Sequence, residues 1–125
     1  MSIDPTIPIL VVDDMATMTR IVCTLLRQLG FYNIDTASDG MSALEKMRRQ
    51  PYALVISDWN MEPMNGLQLL RHGRTESKFD TRFIIITAEA KPQHVIDAKQ
   101  AGASAFLIKP FTAQALKAKI EEALA

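Results

Sequence analysis

The chain has 125 residues, 48% of them hydrophobic, which suits one domain with a core able to bury well over half of the surface exposed on unfolding. Its 14 basic and 14 acidic residues cancel to a formal net charge of +0, and no block of like charge marks a nucleic-acid or membrane surface. Cys23 is the single cysteine, which excludes an internal disulfide and a cysteine metal cluster.

The lead-in MSIDPTIP lacks a basic start followed by an apolar stretch, and no segment approaches the roughly 20 apolar residues of a membrane helix. The expectation is a cytoplasmic, monomeric protein, one domain over residues 1–125. Ile9 to Val12 reads as an apolar strand that ends in Asp13 and Asp14. From Ala16 to Leu29, apolar residues at Met18, Ile21, Val22, Leu25 and Leu29 follow helical spacing, with Cys23 as core and Gly30 as the stop. Asn33 to Ala37 is a short strand, and Ser38-Asp39-Gly40 offers capping chemistry for a helix through Ala43, Leu44 and Met47 that Pro51 closes. Ala53 to Ile56 lacks polar alternation, so it reads as a strand covered on both faces, with Asp58 at its carboxyl end.

A modest helix follows from Gly66 to about Gly73, then the polar loop RTESKFDT and the strongly β-forming Arg82 to Ile86, ending in Thr87. Pro92 and Gly102 bracket a fourth helix, Ala105 to Ile108 is a strand ending in Lys109-Pro110, and Thr112 caps a last helix whose Leu116, Ile120 and Leu124 form one stripe. His72 and His94 lie in polar surroundings and read as solvated; Met15, Met18, Met41, Met47, Met61 and Met64 read as core or loop filler.

Alternating strands and helices imply an α/β, doubly wound parallel sheet with helices on both faces. Parallel strands put their carboxyl ends on one edge, so Asp13, Asp14, Asp58, Thr87 and Lys109 can converge there. Adjacent carboxylates repel unless a cation sits among them, and Mg²⁺, a hard ion that accepts carboxylates, waters and phosphate oxygens, is the natural one. Lys109 adds a point charge and Thr87 a hydroxyl, which with the metal suit the oxygens of a phosphoryl group. Asp58 is then the candidate nucleophile, accepting phosphoryl as an acyl phosphate.

These residues stand in VVDD (Val11 to Asp14), SDWNM (Ser57 to Met61), Gly66, TAEA (Thr87 to Ala90), AGAS (Ala101 to Ser104) and KPF (Lys109 to Phe111). In this order and spacing they resemble the receiver domains of two-component response regulators, including the CheY-like single-domain chemotaxis regulators, over nearly the whole chain. The resemblance implies a flavodoxin-like sheet of five strands in the order 2-1-3-4-5. It further implies that Asp58 takes phosphate from a histidine kinase, that Asp14, Asp58 and the Asn60 carbonyl hold Mg²⁺ with Asp13 acting through water, and that Lys109-Pro110 is a cis peptide. Thr87 and Phe106 would be the switch residues, Asn60 and Glu89 would tune dephosphorylation, and Ala90, Lys91, Phe106 and Lys119 would form a surface for a flagellar-motor switch protein or another output protein. The chain departs from the family in carrying Phe106 where chemotaxis regulators usually have Tyr, and in Glu62-Pro63, which shifts proline one position and brings a further carboxylate toward the metal loop.

A receiver domain of a larger regulator and a phosphate-sink regulator share the same chemistry. A haloacid-dehalogenase-like phosphatase also uses a strand-end aspartate and Mg²⁺, but places its nucleophile after the first strand in a DxD motif, where this chain has adjacent Asp13-Asp14. A flavodoxin-like electron carrier needs a hydroxyl- and glycine-rich phosphate loop after the first strand, where DDMATMT opens with two anions.

Overall fold

The computed structural model describes residues 3–76, 81–89 and 91–125. Strands and helices alternate as β1 (Ile9–Val12), α1 (Ala16–Gln28), β2 (Ile34–Ala37), α2 (Gly40–Arg49), β3 (Leu54–Asp58), α3 (Gly66–Glu76), β4 (Arg82–Thr87), α4 (Pro92–Ala101), β5 (Ala105–Ile108) and α5 (Ala113–Leu124). The strands form one parallel sheet in the order β2-β1-β3-β4-β5, as the resemblance implied.

Period-two alternation explains why β1, β3 and β4 carry unbroken apolar runs. Leu10, Val12, Val55, Phe83 and Ile85 point to one face, where they pack with Ala43, Leu44 and Met47 of α2, Leu69 and Leu70 of α3 and Ala98 of α4. Ile9, Val11, Leu54, Ile56, Ile84 and Ile86 point to the other, against Val22, Cys23 and Leu26 of α1 and Leu116, Ile120 and Ala123 of α5. With both faces covered, the functional groups are left to the strand ends.

Local capping starts α2 and α5 where expected. The Asp39 carboxylate accepts from the Ser42 N–H at 2.7 Å, and the Thr112 hydroxyl accepts from the Ala115 N–H at 3.1 Å. Asn65 and Gln68 form a reciprocal box, each side-chain oxygen accepting from the other's backbone N–H at 2.8 and 2.9 Å, which fixes the start of α3 just beyond the β3 loop.

Four boundaries or faces differ from the sequence reading. β3 runs through Asp58, because its ladder with β4 continues to the pair Asp58 and Ile86. α3 continues past Gly73 to Glu76; Gly73 is a packing residue, since a Cβ there would lie 3.2 Å from Met47 Cε and from Phe83 Cζ. The rest of the expected loop, 77–80, lies outside the described residues. α1 buries Leu26 and leaves Ile21 exposed, so its core face is rotated slightly from the expected stripe. On α5, steps of four overrun the 3.6-residue turn, and Ala123 takes the fully buried place expected for Leu124. Of the methionines, Met47 and Met61 are buried, whereas Met15 and Met41 are exposed.

Candidate functional site

The carboxyl ends of β1 and β3 gather the acids, and those of β4 and β5 bring Thr87 and the counter-charge Lys109 to the same edge. Asp13 continues the β1 ladder through an N–H donated to the Ala37 carbonyl, and its side chain is buried at 4% exposure, whereas the neighbouring Asp14 is exposed. Asp58 is the last residue of β3 and is also buried. One carboxylate oxygen from each of Asp13, Asp14 and Asp58 lies within 4.8 Å of the others. Thr87, buried at the end of β4, accepts the Lys109 N–H on its carbonyl at 2.8 Å, which sets Lys109 just past β5. The Lys109 ammonium then lies 3.0 Å from Asp58 Oδ1 and 3.9 Å from Asp13 Oδ2. The Lys109-Pro110 peptide is cis, as expected, and Glu62-Pro63 is cis as well.

Charge at this edge does not balance. Among the described residues, Lys109 is the one cation paired with these acids. Its contact with the buried Asp58 Oδ1 is electrostatic, because among the described residues no donor meets that oxygen in hydrogen-bond geometry. Burial raises the Asp13 carboxyl above its ordinary range; the Met15 N–H at 2.9 Å and Lys109 pull it down, while Asp58 and Asp14 push it up. Three hard oxygen ligands, an orphaned carboxylate oxygen and a deficit of positive charge fit a hydrated divalent cation such as Mg²⁺.

Gly66 holds the strand end in place. Its N–H donates to the Trp59 carbonyl at 2.9 Å, and a Cβ at this position would lie 2.3 Å from the Asp58 carbonyl oxygen. Glycine is needed there because α3 starts in contact with the backbone that carries Asp58. Asn60, exposed, lines a cavity of about 380 Å³ with Asp14, Trp59, Met61, Glu62 and Asn65. Glu62 thus faces the same space as Asp14, as its position in sequence suggested.

The structure does not bring every expected residue to the cluster. Glu89 is exposed, and its carboxylate pairs with Lys91 at 3.2 Å instead of joining the three acids. Its N–H donates to Thr87 Oγ1 at 3.2 Å, tying the Thr87 hydroxyl to the residue two positions on. On the expected output surface, Lys91 is exposed at the α4 N-cap, Phe106 is half-buried, and Lys119 pairs with Glu122 at 3.4 Å; Ala90 lies outside the described residues. Ile96 and Ile108 add exposed apolar surface to the same helix and strand.

His94 is not solvated as the sequence suggested. Its ring stacks on Trp59 with centroids 4.3 Å apart and planes 12° apart, and its Nδ1 is buried without a hydrogen-bond partner among the described residues. Phe106 meets Trp59 edge-on at 6.4 Å. His72 does remain exposed, 3.9 Å from Glu76.

The family described as response regulator receiver domain matches residues 9–121. The chain belongs to the receiver domain family. It is 44% identical over 115 residues to chemotaxis protein CheY-3 of Vibrio cholerae, covering 91% of this chain and 88% of the relative. Against chemotaxis protein CheY of Pseudomonas aeruginosa the identity is 45%, over 91% of this chain and 93% of the relative. The solved structure of chemotaxis response regulator CheY4 of Vibrio cholerae superposes with a TM-score of 0.87 at 30% identity, over 95% of this chain and 99% of that one. Receiver domains are phospho-accepting regulators that bind Mg²⁺ at an acidic pocket, and CheY-like members take phosphate from histidine kinases and act on output proteins. No described helix is long and apolar enough to cross a membrane.

Proposed function

We propose that this chain is a single receiver domain, over residues 1–125, of a cytoplasmic chemotaxis phosphorelay, in which Asp58 accepts phosphoryl from a histidine kinase. The observation that carries the reading is the set of three carboxylates at one strand edge, with the Lys109 ammonium 3.0 Å from the buried Asp58. In the transfer, a carboxylate oxygen of Asp58 bonds to phosphorus as the bond from phosphorus to the donor's imidazole nitrogen breaks, and the imidazole keeps the electron pair. Lys109 offsets the negative charge gathered around Asp58 and offers donors to the incoming oxygens. Asp14, Asp58 and the Asn60 carbonyl would hold Mg²⁺, with Asp13 contributing through water. Bound there, Mg²⁺ would neutralise charge on the phosphoryl oxygens.

The new oxygens give Thr87 a stronger acceptor than its present surroundings offer, so its hydroxyl turns toward Asp58 and Phe106 takes the space that it leaves. Output passes through α4, β5 and α5, with Ala90, Lys91, Phe106 and Lys119 facing a flagellar-motor switch protein or another output partner. Asn60 and Glu89 control access of the hydrolysing water and hence the lifetime of the phosphate, Glu89 after leaving its pair with Lys91.

Incubation with acetyl phosphate tests this directly. Intact-mass spectrometry is expected to show one phosphate per chain with Mg²⁺, none with EDTA, and none on Asp58→Asn. Undiminished labelling of Asp58→Asn would refute the assignment.

A further inference from the structure

Trp59 is the one tryptophan of the chain, directly follows β3, and touches four other elements. Its N–H donates to the Ile86 carbonyl of β4 at 2.8 Å, its carbonyl accepts from Gly66 at the start of α3, its ring face meets His94 of α4, and Phe106 of β5 packs against it edge-on. The indole therefore sits between the backbone that carries Asp58 and α4. α4 is otherwise shallowly seated, with Ala98 its one fully buried residue and Ala101 partly buried, and the His94 ring adds a contact to the loop that follows β3.

We propose that His94 is a positioning residue of the switch. Its stack on Trp59 latches α4 in the arrangement where Thr87 Oγ1 accepts from the Glu89 N–H. This rests on Asp58 being the phosphoacceptor. When Thr87 turns its hydroxyl toward a phosphoryl oxygen, Oγ1 swings away from the Glu89 N–H, and the shift of α4 that follows is opposed by the ring stack. The latch is shallow by construction: His94 Nδ1 is buried without a partner among the described residues, and release of α4 would return it to water. An imidazole therefore stacks well enough to define a resting position and poorly enough to yield to a bound phosphoryl group. Because coupling is reciprocal, a ring that opposes the phosphorylated arrangement must also weaken binding of a phosphoryl mimic.

The test is the affinity for beryllofluoride, with Mg²⁺ in excess, measured by calorimetry on wild type, His94→Ala and His94→Phe. An aromatic pair of ordinary strength predicts that His94→Ala binds about two- to tenfold more tightly than wild type, while His94→Phe, which keeps a ring on Trp59, binds no more tightly. A merely structural role would lower the melting temperature of His94→Ala and leave the beryllofluoride affinity where it was, which would overturn the latch. Equal tightening in both variants would overturn it too, because the ring would not be the agent. Labelling of all three proteins by acetyl phosphate is expected. If the wild type itself takes no phosphate, the phosphoacceptor reading fails, and the latch with it.

Discussion

Asp35 on β2 and Asp58 on β3 belong to one sheet, yet their carboxylates are partnered in opposite ways. Asp35 accepts from the Tyr52 hydroxyl at 2.7 Å and from Gln50 Nε2 at 2.8 Å, and Gln50 also donates to Tyr52 at 2.7 Å, so the group is closed on neutral donors. Among the described residues, Asp58 shares its surroundings with Asp13 and Asp14, faces the Lys109 ammonium, and keeps a buried oxygen that no hydrogen bond satisfies. The first arrangement ties the loop before β3 to the edge strand. The second leaves charge uncompensated where a ligand can reach it, a local cost borne by a core packed on both faces of the sheet.

Gly66→Ala should give the largest effect, because the added methyl must displace the Asp58 carbonyl from 2.3 Å. Overpacking of this kind costs about 1–3 kcal/mol, read from urea unfolding, and should also impair phosphate uptake. Unchanged stability would mean that α3 does not press on the strand end. Removing acids from the two regions should then act with opposite signs. Asp35→Ala strips Tyr52 and Gln50 of their acceptor and should destabilise by about 1–2 kcal/mol. Asp13→Asn keeps an oxygen for the Met15 N–H but relieves a buried like-charge contact, so in EDTA it should stabilise by on the order of 1 kcal/mol, and Mg²⁺ should remove that advantage by stabilising the wild type. A loss of stability in EDTA for Asp13→Asn would erase the contrast.

The smallest effect concerns alkaline pH. Burial, reinforced by the Asp35 hydrogen bond, pushes the Tyr52 phenol from 10.0 up to about 12. The folded state therefore favours the neutral phenol; that stability is present below pH 10.0 and is lost as pH rises through about 12. Tyr52→Phe should cost about 1 kcal/mol at neutral pH and flatten this alkaline decline, checked by denaturant unfolding between these limits.

The strands and the convergence of Asp13, Asp14, Asp58, Thr87 and Lys109 were legible because apolar runs ending in polar residues report both a covered strand and its carboxyl end. Caps at Asp39 and Thr112 were legible for the same local reason. His94 was not, since a ring stack between residues 59 and 94 leaves no period in the sequence, and its polar neighbours on α4 signal solvent. Gly73 misled because glycine marks a helix stop and a close helix contact alike, and only the position of Phe83 and Met47 distinguishes them. The pairing of Glu89 with Lys91 is likewise invisible to spacing, as both side chains are exposed and either could equally face solvent alone.

The most direct measurement of whether the unbalanced acids form a cation site is calorimetric titration of Mg²⁺ into wild type, Asp58→Asn and Asp35→Ala. The account predicts one site in the wild type, the same affinity in Asp35→Ala, and binding at least tenfold weaker in Asp58→Asn. Equal Mg²⁺ affinity in wild type and Asp58→Asn, or no binding to the wild type at all, would contradict it.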